Sequence, residues 1–146
     1  FYSPASYAKF SSFFNYRRKH PIQGYVKPHL GIDYELPQGA SIYAVSSGKI
    51  LRMGRNRAAG NFVVIRHLNG LESYYNHLSK LSKDLKVGSF VVQGQTIGEN
   101  GCTGYCTKPH LHFAIKSKGR FVDPIKFVKS YPYHRKSFVK KELASN

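Results

Sequence analysis

The stretch HLHFAI at residues 110–115 alternates polar and apolar side chains and predicts a β-strand. Successive side chains of a strand point to opposite faces, so His110 and His112 share one face while the apolar residues between and after them face the core. Two imidazoles side by side on a rigid strand can serve a metal ion or acid–base chemistry. The alternative interpretation is two surface histidines on a half-buried strand.

Short runs of β-forming residues, separated by glycine about every ten residues, extend this pattern along the chain. The predicted strands are Ile42–Ser46, Lys49–Met53, Phe62–His67, Leu71–Tyr75, Phe90–Val92, Thr96–Glu99 and Leu111–Lys116. Asn69-Gly70 predicts a hairpin turn between two of them, and Asp123-Pro124 predicts one short helical turn. We therefore predict an all-β fold of the sandwich or barrel kind with little helix.

Composition and charge describe one basic domain. The 146 residues carry a formal net charge of +16, which predicts a polyanionic partner: nucleic acid, an anionic membrane or an acidic polymer such as a cell wall. We divide the chain into an irregular N-terminal arm (residues 1–10), a domain (11–130) and a basic tail (131–146). Because the chain begins at Phe1 and its one methionine is Met53, we expect a processed product whose signal or anchor segment lay upstream.

A second motif, HLGID at residues 29–33, also separates polar from apolar side chains when extended. His29, Gly31 and Asp33 then share one face, and Gly31 leaves room for an ion or ligand to approach the backbone. A His and an Asp four residues apart are weak evidence alone, since most such pairs are solvated or bonded locally. Together with the His-x-His strand they supply two histidines and an aspartate, the ligand set of a catalytic zinc site with a fourth position left for water.

The remaining histidines differ in their local sequence. His77 lies in a third motif, YYNHL, and can enter the same cleft as a general base if it faces the same side as Tyr75; the alternative is a histidine that closes a strand end. For His67, at the end of the neighbouring run, the structural interpretation is favoured. His20 and His134 lie in basic flanks, where we expect them to be solvated.

These motifs occur in the order typical of one family. They are Phe14-Asn15-Tyr16-Arg17, His29-Leu30-Gly31-Ile32-Asp33, Tyr75-Asn76-His77-Leu78, Val92-Gln93-Gly94-Gln95-Thr96-Ile97-Gly98, Pro109-His110-Leu111-His112-Phe113 and Asp123-Pro124. On these motifs, the sequence from Ser11 to Phe127 resembles the lysostaphin/LytM-like zinc metallopeptidases, which cut peptide cross-links in bacterial peptidoglycan. The segment from Arg17 to Gly24 resembles most the Gram-negative murein endopeptidase branch.

The resemblance implies a mainly antiparallel β-sheet with the active-site groove on one face. It implies one Zn²⁺ ion bound by His29, Asp33 and His112, with His77 and His110 as catalytic residues beside the metal. The implied activity is hydrolysis of peptidoglycan cross-links with metal-activated water as nucleophile, in the periplasm, in the cell envelope or outside the cell. Some relatives have lost their zinc ligands, so the alternative is a catalytically silent module that binds the cell wall or activates amidases; the filled ligand set favours a hydrolase.

The loop GCTGYC at residues 101–106 departs from the family, which usually has small hydroxyl residues where Cys102 and Cys106 stand. In an oxidising compartment these cysteines are expected to form a disulfide that tightens the loop leading into His110. The alternative is a structural zinc site made of both cysteines, His110 and His112. That alternative leaves the second motif without a role.

The expected partner is peptidoglycan, through its cross-linked stem peptides, whose free carboxylates suit a basic groove. No RNP-type aromatic motif accompanies the positive charge, so we expect no nucleic-acid partner. We also expect a monomer, and an upstream segment of the same chain that covers the groove.

Overall fold

Ten strands make up almost all of the regular structure of this computed structural model, which describes residues 1–6, 9–15 and 28–128. They are β1 (Lys9–Ser12), β2 (Ile32–Glu35), β3 (Ser41–Tyr43), β4 (Gly48–Asn56), β5 (Gly60–His67), β6 (Glu72–Leu81), β7 (Phe90–Val91), β8 (Thr96–Asn100), β9 (His110–Ser117) and β10 (Arg120–Val122). One 3₁₀ turn, Pro124–Lys126, follows, with the Asp123 side chain accepting a hydrogen bond from the Ile125 N–H. The all-β prediction with little helix is confirmed.

The strands form one antiparallel sheet in the order β1-β2-β9-β6-β5-β4-β7. The sheet stays open and does not close into the barrel that the sequence also allowed. Strand β10 pairs with the end of β9. One edge of β6 has two partners: its first half pairs with β9 and its second half pairs with β8. Strand β8 also pairs with β3. Among the described residues, no helix has the length and apolar character needed to cross a membrane.

The centre of the sheet sets the register between the sequence motifs. Strand β9 lies between β2 and β6, so Asp33 stands opposite His112, and His112 stands opposite Asn76. On the other face, Leu111 and Phe113 are fully buried. Burial of one such side chain stabilises the fold by about 1.5–3 kcal/mol. A slip of one residue would exchange the two faces, so the core locks the histidines onto the open face.

All seven predicted strands occur; most ends differ by three residues or fewer, but β6 continues six residues beyond the predicted end at Tyr75, to Leu81. The sequence did not indicate β1 or β10, which are short and carry no clear alternation, and β1 begins inside the stretch expected to be irregular. The division into arm, domain and tail stays a prediction. Residues 131–146, the Arg17–Gly24 segment, His20 and His134 lie outside the described residues.

His67 belongs to a buried chain of polar groups, as the structural interpretation expected. Its Nδ1 lies 2.9 Å from the Ser47 carbonyl, and its Nε2 lies 2.8 Å from Ser73 Oγ. Ser73 Oγ is 2.8 Å from the Tyr75 hydroxyl, which accepts from the Val45 N–H at 3.1 Å. A neutral imidazole satisfies this chain, with Nδ1–H donating to the Ser47 carbonyl and Nε2 accepting from the Ser73 hydroxyl. Burial lowers the pKa of His67 accordingly.

We expect His67 to make folding stability fall in mild acid. Its pKa in the unfolded chain is ~6.5, and the folded pKa is lower, so the unfolded state binds more protons as the pH falls through that value. Stability is therefore complete above the unfolded pKa and is lost below it, by at most about 1.4 kcal/mol per pH unit for one proton. Urea unfolding of the wild type and of His67→Gln from pH 7.5 to pH 5 measures the effect. Equal pH slopes for the two proteins would contradict this account, because every other titrating group is common to both.

Candidate active site

Three side chains from two separate motifs converge on the open face of β2 and β9. His29 precedes β2, and both of its backbone groups pair with Asn15, which fixes its position. Its Nε2 lies 3.2 Å from Asp33 Oδ2, and His112 Nδ1 lies 2.9 Å from Asp33 Oδ1. One donor atom from each of the three residues lies within 4.8 Å of the other two. The structure thus brings together all three residues that the resemblance implies as metal ligands.

Hydrogen bonds behind His29 determine which ring nitrogen faces this group. Its Nδ1 lies 2.8 Å from the Phe13 carbonyl and 3.2 Å from Ser12 Oγ, both on or just after β1. A carbonyl can only accept, so Nδ1 carries a proton, and Nε2 faces Asp33 either as a lone pair or, when the ring is fully protonated, as a second N–H donor. Two acceptors at 3.2 Å need a proton or a cation between them.

The donor set fits Zn²⁺. Two imidazoles and one carboxylate are typical ligands of a catalytic zinc ion, and ligand atoms around a tetrahedral ion lie about 3.4 Å apart. The observed separations of 3.2 and 2.9 Å are close to that spacing. Burial raises the pKa of Asp33, but hydrogen bonds and charge from His112 and His29 outweigh it and hold the pKa well below its usual range. The carboxyl is therefore ionised and able to bind a cation.

Gly31 serves the site differently from the prediction. We expected room for an ion beside the backbone, but the space is taken by protein: a methyl group at Gly31 would lie 2.6 Å from the Phe113 carbonyl oxygen and 2.8 Å from His112 Nε2. Gly31 is needed because the His112 imidazole packs directly over it.

Gly31→Ala is expected to weaken zinc binding about 10–100-fold, the loss typical when a metal ligand loses its support. The added methyl group pushes the His112 ring and the β9 backbone away, with a stability cost of about 1–3 kcal/mol for overpacking. Zinc titration and thermal melting measure the two effects. Gly48→Ala is the matched control, because its methyl group would lie 2.3 Å from the Arg66 carbonyl with no metal-site residue among its nearest neighbours. If both variants bind zinc equally, the role given to Gly31 is wrong.

His77 reaches the site through an irregularity in β6. Tyr75 is fully buried in the core, so regular alternation would point His77 into the core with it. Between the pairs Asn61–Leu78 and Val63–Tyr75, however, β6 has one more residue than β5, and His77 has a φ of 65°. This bulge turns His77 onto the open face. Our condition that it share a side with Tyr75 was therefore wrong; the His77 ring instead lies beside those of His110 and His112.

His77 and His110 present corresponding nitrogens to the site. The Nδ1 of His77 lies 2.7 Å from the Thr103 carbonyl, and that of His110 lies 3.0 Å from the Lys108 carbonyl, so both carry their proton on Nδ1 when neutral. The two rings are 4.7 Å apart, and His110 Nε2 is 4.0 Å from Asp33 Oδ1. Burial, together with the neighbouring imidazoles, lowers the pKa of His77, which keeps its Nε2 free to accept a proton.

The loop before β9 contains a disulfide between Cys102 and Cys106, with Cα atoms 5.2 Å apart. Joined to each other, the cysteines offer no thiolate for the alternative structural zinc site. Cys106 Sγ lies 3.5 Å from His110 Nδ1, so the loop contacts the site directly.

Sequence reasoning missed the groups that support the imidazoles. They are the Phe13 and Ser12 contacts to His29, the Lys108 carbonyl and the Thr103 carbonyl. Three of the four are backbone carbonyls, and side-chain identity gives no signal for the position of a carbonyl. The one available signal was the glycine after Thr103, which marks a close backbone approach.

The five side chains of this site come from β2, β6, β9 and the segment just before β2. An antiparallel sheet with a His, Asp, His donor group and two further imidazoles beside it is the arrangement of a β-sheet zinc metallopeptidase. Comparison with known families agrees with that class. Residues 27–124 match the model of Peptidase family M23, and the chain belongs to that family.

Individual relatives support the same assignment. Peptidoglycan DD-endopeptidase ShyB of Vibrio cholerae is 40% identical over 121 residues, which cover 83% of this chain and 28% of that protein. A zinc-containing peptidase from Vibrio cholerae has a similar structure, with a TM-score of 0.78 and 39% identity over 83% of this chain and 37% of that one. The catalytic domain of lysostaphin from Staphylococcus simulans gives a TM-score of 0.72 and 36% identity, covering 84% of this chain and 93% of that one. The chain thus spans less than a third of ShyB and most of the lysostaphin catalytic domain.

Proposed function

We propose that this chain is the catalytic domain of a zinc-dependent endopeptidase that hydrolyses peptide cross-links of bacterial peptidoglycan. The observation that carries the proposal is the convergence of His29, Asp33 and His112 beside two imidazoles whose Nδ1 atoms are held by backbone carbonyls. The DD-endopeptidase activity named for ShyB favours a bond between two D-configured centres as the one cleaved.

In this proposal His29, Asp33 and His112 hold one Zn²⁺ ion. Bound there, the ion supplies Lewis acidity, which lowers the pKa of water and polarises a carbonyl. His77 Nε2 accepts a proton as the oxygen of water bonds to the scissile carbonyl carbon. The proton reaches the leaving amine as the C–N bond breaks, through His77 or through His110. Burial lowers the pKa of His77, so its Nε2 is unprotonated and available to accept the proton.

The surface beside the site suits an anionic polymer. A cleft next to His110 is lined by Lys9, Glu35, Lys108 and Pro109, and both lysines are exposed. These cations can pair with the free carboxylates of stem peptides, in line with the net charge of +16. We also propose a location in the periplasm, in the envelope or outside the cell, where this substrate lies and where disulfides persist. A monomeric state and an upstream segment over the groove remain part of this proposal.

Mass spectrometry of soluble fragments tests the proposal directly. Purified peptidoglycan is incubated with the zinc-loaded domain, with chelator-treated protein and with protein to which zinc has been restored. We expect cross-linked dimers to fall to monomers only when zinc is present, and the new termini to identify the bond. If the zinc-loaded domain sediments with the wall and releases nothing, the silent cell-wall-binding or amidase-activating module is the better account.

A further inference from the structure

The orientation of His77 depends on the backbone of the disulfide loop. The Thr103 carbonyl, which accepts the Nδ1–H of His77 at 2.7 Å, lies between the two cysteines. This contact selects the tautomer in which Nε2 is unprotonated, as a proton acceptor must be. The position of the Thr103 carbonyl oxygen therefore decides whether His77 presents an unprotonated Nε2 to the site.

The Thr103 hydroxyl fixes that carbonyl relative to the sheet. It donates to the Leu78 carbonyl at 2.7 Å and accepts from the Asn61 N–H at 3.0 Å. Leu78 directly follows His77, and Asn61 pairs with Leu78 across the bulge. The hydroxyl thus joins the loop to both strands at the point where β6 is irregular, and where the left-handed conformation of His77 costs of order 1–3 kcal/mol.

Close backbone packing leaves the loop little freedom. A methyl group at Gly60 would lie 2.3 Å from Thr103 Oγ1, and one at Gly104 would lie 2.3 Å from the Gly60 nitrogen. Both glycines have positive φ angles, of 66° and 79°. Ala59, which directly precedes Gly60, also holds the bulge in place, because its carbonyl accepts from the His77 N–H at 2.7 Å.

The disulfide closes the loop around Thr103. Cys102 directly precedes Thr103, and the bond to Cys106 fixes the far end of the loop. Loss of that bond would free the loop and enlarge the set of positions open to the Thr103 carbonyl.

From these contacts we propose that Thr103 is a positioning residue for His77, and that the Cys102–Cys106 disulfide holds Thr103 in place. Thr103 lies outside the three-donor group and acts by fixing the tautomer and orientation of the His77 imidazole. For its kinetic consequences this inference rests on the proposed function, while the state of the His77 ring can be measured without any substrate.

Thr103→Val tests the hydroxyl with almost no change in shape. We expect kcat on cross-linked muropeptides to fall about 10–100-fold, the range for outer-shell partners, with KM and bound zinc unchanged. Thr103→Ser restores the hydroxyl and should recover most of the rate. Thr96→Val, at an exposed threonine on β8, is the matched control and should behave as the wild type. A wild-type kcat in Thr103→Val would overturn the proposal.

Nitrogen-15 NMR of the imidazole rings gives the readout that a merely structural role would not move. The wild-type His77 ring should show a protonated Nδ1 and an unprotonated Nε2, and Thr103→Val should populate the other tautomer. A wild-type ring with the proton on Nε2, or an unchanged tautomer in Thr103→Val, would contradict the inference. Should the wild type cleave no peptidoglycan, the proposed function fails, and the NMR result still decides this one.

The double variant Cys102→Ser/Cys106→Ser tests the disulfide and also serves if Thr103→Val does not fold. We expect the same direction of change, with a lower kcat, normal zinc content and a mixed His77 tautomer. If both kcat and the tautomer equal those of the wild type, the disulfide does not hold Thr103.

Discussion

His112→Ala is expected to remove both the bound zinc and all peptidoglycan cleavage above the level of chelator-treated protein. The substitution deletes one of three donor groups, and two protein ligands hold zinc far more weakly than three. His112 is also the hydrogen-bond partner 2.9 Å from Asp33 Oδ1, so its loss releases the carboxylate as well. Zinc per chain after dialysis, measured by atomic emission, and fragment release from peptidoglycan check the two losses together.

His110→Ala is the matched control for this prediction. His110 lies on the same strand and the same face, but its Nε2 is 4.0 Å from Asp33 Oδ1 and it lies outside the three-donor group. We expect this variant to keep one zinc per chain and to cleave slowly. Retention of zinc by His112→Ala would refute the ligand assignment, and loss of zinc from His110→Ala would show that the metal group is larger than described.

His77→Ala is expected to keep its zinc and to lose about 10²–10⁴-fold in kcat, the usual contribution of a positioned acid–base group. None of the three donor atoms comes from His77, whose ring centroid lies 6.3 Å from that of His112. The variant therefore removes the proton acceptor and leaves the metal group complete. Steady-state kinetics on purified cross-linked muropeptides, with zinc content measured on the same sample, separate the two effects.

A companion variant guards against a folding artefact. His77 has a left-handed backbone with φ of 65°, which asparagine tolerates better than most residues. His77→Asn should therefore be at least as stable as His77→Ala and equally slow. Near-normal turnover in either variant would contradict the role given to this imidazole.

The open face of β9 was predictable because the rule behind it is local. In HLHFAI, alternation alone assigns Leu111 and Phe113 to the core, and the buried side chains then leave His110 and His112 no other face. The His-to-Asp spacing of the second motif was equally readable. The family resemblance then implied that these two motifs meet, a long-range statement that periodicity cannot make.

The bulge at His77 was not predictable, because it depends on a mismatch between two partners of β6. Up to Asn76 this strand pairs with β9, and from Leu78 onward it pairs with β8. The extra residue lies at that change of partner, and no feature of the YYNHL motif alone predicts it. The pattern in fact pointed His77 the wrong way, with Tyr75.

The sequence by itself determined the all-β architecture and the face shared by His110 and His112, because both follow from side-chain type and a period of two; the membership of the metal group came from the family resemblance. Only the tertiary structure decided how the imidazoles are aimed. Their tautomers depend on carbonyl oxygens of Phe13, Lys108 and Thr103, and every residue carries the same carbonyl whatever its side chain. Packing of the loops selects which of those carbonyls meets which ring, and that selection is made by contacts between distant parts of the chain.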